Sequence, residues 1–240
     1  MKAAISQPRY IPALNYLQRI AFSDVFVVFD IVQRQARAWE NRNKLLLPIS
    51  KWLTIPIKSS SRSLIQDTEI EGSEWLKNHI NQIIYYYKSA PYFDQELLDI
   101  YFSSFIGDRH LDTISFSKST ISAITCLFDA LNIPYNFKFA SQFSKENVLL
   151  AKGPEKLRLI CEQLGADFYI SGENGRHYGV IECFSQSKCK VLFHCSIQEE
   201  YRQFNNSGEY IPYMGFFDAL FNNGKEWFRN IVMSEPNFSN

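Results

Sequence analysis

Apolar positions along the chain follow two periods, and the change from one to the other separates strands from helices. Residues 3–6 are a short apolar run, stopped by Pro8, which has no N–H for a central ladder. Pro12 suits the first position of a helix, and Leu14, Leu17 and Ile20/Ala21 repeat behind it at helical spacing. Residues 24–30, Asp-Val-Phe-Val-Val-Phe-Asp, are almost unbroken apolar sequence between acids. A strand covered on both faces has that pattern. Strand, helix and strand in succession predict a βαβ unit with its strands parallel.

Further along, residues 41–43 read as loop and 52–57 as a strand, followed by a polar turn over 59–63. A weaker alternation covers 68–71. Ser73 is placed to cap a helix running to about Tyr87. Pro91 ends that run, and 94–106 predicts a second helix. The clearest helical period lies in 112–131, where Ile121, Ile124, Leu127/Phe128 and Leu131 recur. A strand over 135–139 precedes a polar segment, and Gly153-Pro154 opens a helix through Leu164. Residues 165–170 turn into a strand, 171–175 form a tight polar loop, and 190–195 are another strand. Two short helices, near 215–221 and 224–232, follow a loop at 205–208.

Strands alternating with helices predict an α/β fold, a Rossmann-like and mainly parallel sheet with flanking helices and a helical middle segment. The chain has no repeat, no low-complexity segment and no long linker. Residues 1–240 therefore read as a single domain, an α/β core with a helical insertion at about 73–131.

Composition narrows the classes. Lys plus Arg and Asp plus Glu number 25 each, so no general nucleic-acid field is expected. Five cysteines are odd in number and form no CxxC pair, which argues against a zinc ribbon or a disulfide framework. Reduced thiols fit a cytoplasmic protein. The N-terminus lacks a signal-peptide apolar core. No apolar run approaches the roughly 20 residues of a membrane span. The 20 Phe, 13 Tyr and four Trp suit a bulky core or a pocket for planar and sugar-like ligands.

Ligands of open α/β sheets bind beyond the carboxyl ends of the strands. Gln7, Tyr10 and Asp30 are expected at that edge. Gln7 and Tyr10 offer neutral hydrogen bonds to a sugar or nucleotide, or serve the turn itself. Asp30, with Gln33 after it, either meets a hydroxyl or amine or caps nearby amides. Arg37, Arg42 and Lys44, with Asn41 and Asn43 around Arg42, suit a pyrophosphate or form a solvated basic loop. His79 is a candidate general base or a structural helix histidine. His177 and His194 fit no metal motif, and Cys195 reads as buried. The 171–175 loop is a candidate anion nest without a Walker or GxGxxG pattern.

The most specific sequence features are Gln7-Pro8-x-Tyr10-x-Pro12, Tyr16, Asp24-Val25-Phe26, Asp30-x-Val32-Gln33 and Asn41-Arg42-Asn43. Trp52-Leu53-Thr54-Ile55-Pro56, Trp75, His79, Tyr86 and Ala90-Pro91-Tyr92-Phe93 accompany them. Ser171-Gly172, Tyr178, Tyr201 and Phe217-Asp218-Ala219-Leu220-Phe221-Asn222-Asn223-Gly224 complete the set. Through these the chain resembles the WbqC-like family, often encoded among bacterial surface-polysaccharide genes. Two departures are Ala13-Leu14-Asn15-Tyr16 in place of Trp-x-Gly-Tyr, and Gly215-Phe216-Phe217 before the late Asp.

The resemblance implies N-acyl or aminoacyl transfer, glycine included, onto a nucleotide-linked amino sugar in O-antigen or lipopolysaccharide biosynthesis. A non-catalytic nucleotide-sugar or glycan binding protein is the alternative. The donor stays open among ATP plus an amino acid, aminoacyl-tRNA and acyl-coenzyme A. For amide formation, Asp30 or His79 would take the amine proton, and Asn43, Tyr10 or Arg42 would stabilise the oxyanion. Gln7, Tyr10, Gln33, Arg42, Tyr92, Gly172 and Tyr178 would bind substrate. No metal is expected.

Overall fold

A computed structural model describes residues 1–35, 38–45, 51–58, 62–106, 114–143, 146–195, 200–204, 206 and 208–239. Arg37, residues 59–61 of the polar turn, Asp112, Asn205 and Ser207 lie outside the described residues.

The chain begins β1 (Lys2–Ser6), α1 (Leu14–Phe22) and β2 (Val25–Val28), the predicted βαβ unit. Pro12 stands two residues ahead of α1 rather than opening it. A hairpin follows, β3 (Arg42–Leu45) against β4 (Lys51–Thr54). Residues 42 and 43, expected in a loop, are therefore strand. Their alternation explains this: Asn43 and Leu45 are buried while Arg42 lies over the Trp52 ring at 4.3 Å and Lys44 at 5.1 Å.

The helical middle comes next: β5 (Glu69–Ile70), α2 (Glu74–Tyr87), α3 (Gln95–Ser103), β6 (Ile114–Ser115) and α4 (Phe116–Ala130). Asp94 caps α3, its carboxylate accepting the Leu97 N–H at 2.9 Å. Ser73 stands at the N-cap of α2 but makes no side-chain cap bond. Residues 114–115, expected as helix, pair instead with β5.

The chain then returns through β7 (Phe137–Phe139), α5 (Glu146–Leu150), α6 (Pro154–Leu164), β8 (Phe168–Gly172), α7 (Val180–Phe184) and β9 (Lys190–Cys195). It ends in α8 (Phe216–Met233) and β10 (Asn237–Ser239). The two expected C-terminal helices are the halves of α8, kinked at Gly224 (φ 84°, ψ 169°). The strand β10 carries too short a pattern to announce itself.

The main sheet has the order β10-β9-β8-β1-β2-β7. Every pairing is parallel except the β10 edge. This is a mixed α/β architecture with a mostly parallel central sheet flanked by helices. Without β10 the order is that of a doubly wound Rossmann sheet. Alternation divides its faces. Ala4, Phe26, Val28 and Ile170 join the core beneath α1 and α8, whereas Ala3, Ile5, Val25, Val27 and Tyr169 join the one beneath α6 and α7.

The first core runs on into the helical middle. Tyr101 meets Phe216 and Phe217 edge-on at 5.1 and 5.3 Å, and Phe102 stacks on Phe217 at 6.1 Å. Burying each ring contributes ~1.5–3 kcal/mol. The aromatic excess is thus spent mostly on fixing α2 and α3 against α8 and the loop after β1.

Candidate functional site

From β1 the chain winds to β2 on one side, and it comes back to place β8 on the other. The reversal leaves a crevice at the carboxyl ends of β1 and β8, where doubly wound sheets bind ligands. A cleft of about 780 Å3 opens there. Its floor is Ser6 at the end of β1 with Gln7 and Arg9 beyond it, Asn15 and Arg19 of α1, and Ser171 and Gly172 at the end of β8 with Glu173 and Asn174 beyond. Gln33, Gln35, Trp39 and Asn43 line another part, and Lys156 enters from α6. Tyr178 and Tyr213 also reach it, Tyr178 being 71% exposed.

The loop from β1 to α1 is held from several directions. The Tyr10 N–H donates to the Glu40 carbonyl at 2.8 Å, and Phe216 N–H to the Pro12 carbonyl at 2.9 Å. The Ile11 N–H donates to the Tyr101 hydroxyl at 2.9 Å, while Asn43 Nδ2 donates to the Ile11 carbonyl at 2.6 Å. Ile11 has φ 43°, a conformation a β-branched residue avoids. Such strain persists only where surrounding bonds over-determine the backbone, as they do here.

Of the residues expected at the site, Gln7, Gln33, Asn43, Gly172 and Tyr178 line the cleft. Asn43 uses its amide on Ile11, so it shapes the cleft through the loop. Five others lie outside the lining. Tyr10 reaches the strand edge by its backbone only; its ring turns into the aromatic core, 2.8 Å from His79 Nδ1. Tyr10 and His79 are buried there against Trp75, Tyr10 also meeting Phe105. Burial pushes the Tyr10 hydroxyl well above its usual pKa, which keeps it neutral.

Asp30 is buried and turned the other way. Its carboxylate accepts the Ser141 N–H at 2.9 Å and the Ser141 hydroxyl at 2.8 Å, tying β2 to the segment after β7. Arg42 is engaged over Trp52. Tyr92, 56% exposed, packs on the Gly224 kink. The expected nest at 171–175 is the last of β8 followed by a 3-10 turn, Glu173–Tyr178. Cys195, expected buried, is half-buried. His177 is exposed, and His194 is buried on β9.

Arg9 and Arg19 were not singled out by the sequence. Arg19 is 7% exposed, and burial, then the Arg9 charge, push its pKa down to about 10. Burial also lowers that of Arg9. Both guanidinium carbons lie over the Tyr16 ring, at 5.8 Å for Arg9 and 5.6 Å for Arg19. One signal was available: Tyr16 and Arg19 are a turn apart on α1, so a buried Tyr16 carries Arg19 toward the sheet. Among the described residues no group of three or more His, Cys, Asp or Glu is placed to hold a metal ion. Nor is any described helix long and apolar enough to cross a membrane.

Fold and cleft together define a doubly wound α/β protein with an arginine-bearing cleft at its switch point. The model of the WbqC-like protein family matches residues 7–230, and the chain belongs to that family. It is similar to "Uncharacterized protein Rv1507c" of Mycobacterium tuberculosis, at 30% identity over 230 residues, covering 94% of this chain and 95% of that protein. No solved structure matches it.

Proposed function

We propose that the protein forms an amide on the amine of a nucleotide-linked sugar, by acyl or aminoacyl transfer, within the switch-point cleft. The observation that carries this reading is the composition of that cleft. Its lining has three cations, Arg9, Arg19 and Lys156, against one carboxylate, Glu173, with the neutral amides Gln7, Asn15, Gln33, Gln35 and Asn174 around them. An anionic ligand rich in hydroxyl groups suits such a lining. About 780 Å3 falls in the range of pockets that hold cofactor-sized molecules. Membership of the WbqC-like family supports the surface-polysaccharide setting.

In the reaction the sugar amine attacks an activated acyl carbon, the C–N bond forms, and the leaving group departs: tRNA, coenzyme A, or the AMP or phosphate carried by an amino acid whose carboxylate ATP has first activated. The amine proton must pass to a base. Glu173 is the carboxylate of the lining and takes that role in place of Asp30 and His79. The donor is ATP plus an amino acid, an aminoacyl-tRNA or an acyl-coenzyme A. The test incubates purified protein with nucleotide-linked amino sugars and each donor, and reads products by mass spectrometry. An acylated sugar that disappears in Glu173→Gln is expected; no product from any donor with folded protein overturns the reading.

A second reading is binding without turnover, favoured by the burial of Asp30 and His79 away from the lining. It predicts nucleotide-sugar binding by calorimetry that Glu173→Gln leaves intact, and no product.

A further inference from the structure

The feature least explained by folding alone is Arg19. A buried charge is ordinarily paired or neutralised. Among the described residues no carboxylate lies within ion-pairing distance of Arg19 or Arg9, and Arg19 Nε has no hydrogen-bond partner. Both guanidiniums lie against the Tyr16 ring and repel one another, and the Tyr16 hydroxyl is already committed to the Gln7 carbonyl at 2.9 Å. Glu40 attracts Arg9 from beyond ion-pairing distance, but no described carboxylate offsets Arg19, and packing the two like charges together beneath a cleft is unfavourable until an anion joins them.

Gly172 shows what the space above Arg19 requires. Its backbone is ordinary extended chain, φ −69° and ψ 155°, which any residue adopts. The absent side chain, not the torsion, is what matters. A Cβ at 172 would lie 2.9 Å from Arg19 Nη1 and 3.6 Å from its Cζ. Gly172 therefore leaves the guanidinium lying against the end of β8, at the switch point, on the face shared with Ile170. Arg19 is also felt by His194 on β9, paired with Gly172 in register, so β8 and β9 present no negative charge to offset it.

We propose that Arg19 and Arg9 form a phosphoryl-binding site on the floor of the switch-point cleft, with Gly172 keeping it open. Two guanidiniums offer more N–H donors than a single carboxylate can accept, and they match the charge and oxygen count of a phosphate or diphosphate. The proposal rests on the reading that this cleft is the ligand site, and it names the ligand group received there. It does not depend on amide formation.

The probe is inorganic pyrophosphate, with acetate at equal ionic strength as the carboxylate arm. Binding is followed by calorimetry and by the shift in melting temperature of the full chain. Pyrophosphate is expected to bind and stabilise the wild type, and acetate not. Arg19→Gln is expected to weaken pyrophosphate binding at least tenfold, and Arg19→Lys by less, because the charge remains and the fork is lost. Gly172→Ala should weaken it while leaving both arginines in the sequence. Lys225→Gln, which removes a surface charge paired with Asp94, serves as the control and should bind as wild type.

The free Arg19→Gln protein should melt at or above the wild-type temperature, since a role confined to folding would lower it. Unchanged pyrophosphate binding in Arg19→Gln, no binding to folded wild type, or equal stabilisation by acetate each overturns the proposal. Pyrophosphate binding without any acyl transfer leaves this site standing and sinks the reaction. Turnover with no pyrophosphate binding does the reverse.

Discussion

The Tyr10 hydroxyl lies 2.8 Å from Nδ1 of His79, and the pair is closed off from the cleft by aromatic rings. The two residues stand 69 positions apart and join the loop after β1 to α2. Their contact sets the position of the helical middle relative to the sheet edge, and through Asn43 and Tyr101 the same loop shapes the cleft. Tyr10→Phe leaves a buried ring nitrogen without this partner and is expected to lower stability by ~1–3 kcal/mol. Urea denaturation measures the loss. Ligand binding or turnover per folded molecule should change less than twofold, whereas a proton-accepting His79 would lose most of its rate.

Asp218 on α8 is a second buried hub. Tyr87 and Tyr201 donate their hydroxyls to its carboxylate at 2.6 and 2.7 Å, and Gln203 Nε2 donates at 3.2 Å. Burial raises its carboxyl pKa, and the three donors work against that rise. Asp218→Ala removes the acceptor these three donors share and should remove ~1–3 kcal/mol of stability. Asp218→Asn keeps the shape but replaces an acceptor oxygen by a donor, so an intermediate loss is expected. Thermal melts of both variants at pH 7 rank them.

His194 makes stability depend on pH. Burial, with the Arg19 charge second, holds its pKa at about 4 against the usual 6.5. The unfolded chain takes up this proton near pH 6.5 and the folded chain only near 4. The stabilisation is therefore complete above pH 6.5 and is lost as the pH falls toward 4, by roughly 3 kcal/mol in all. Comparing wild type with His194→Phe cancels the other titrating groups. The variant should lose distinctly less stability between pH 7 and pH 4.5, read from denaturant midpoints.

Gly224 breaks α8 at φ 84° and ψ 169°, a region that only glycine occupies without strain. A Cβ there would also come within 2.9 Å of Tyr92 Cδ1. Gly224→Ala is expected to cost ~1–3 kcal/mol or more. Tyr92→Ala added to it should recover only part of the loss, since the ring clash goes and the torsion stays. A double-mutant cycle of melting temperatures separates the two.

Much of the architecture was legible along the chain. The apolar run of β2, the helical stripe of α1 and the parallel pairing between β1 and β2 follow from period and crossover length. Gln7 and Gly172 were placed at the carboxyl edge by topology and resemblance, and both line the cleft. Asp30 and Tyr10 were expected at the same edge for the same reason. Their backbones are there, and their side chains are not, because χ1 decides which way a residue at a strand end turns. Asp30 turned to Ser141 and Tyr10 to His79, partners 111 and 69 residues away that no local pattern names.

Local pattern by itself determined most of the elements and the mainly parallel α/β class, because hydrophobic periodicity is a property of neighbouring residues; it missed β3, β6 and β10. Tertiary structure alone decided which polar groups meet. Arg9 stood in the opening motif as an unremarked position, and Arg19 as one polar residue on an amphipathic helix. Only the return of β8 to the side of β1, with Gly172 bare at its end, puts both guanidiniums beneath one cleft, neither of them in an ion pair among the described residues. Charge convergence depends on chain segments about 150 residues apart, and packing, not sequence period, brings those together.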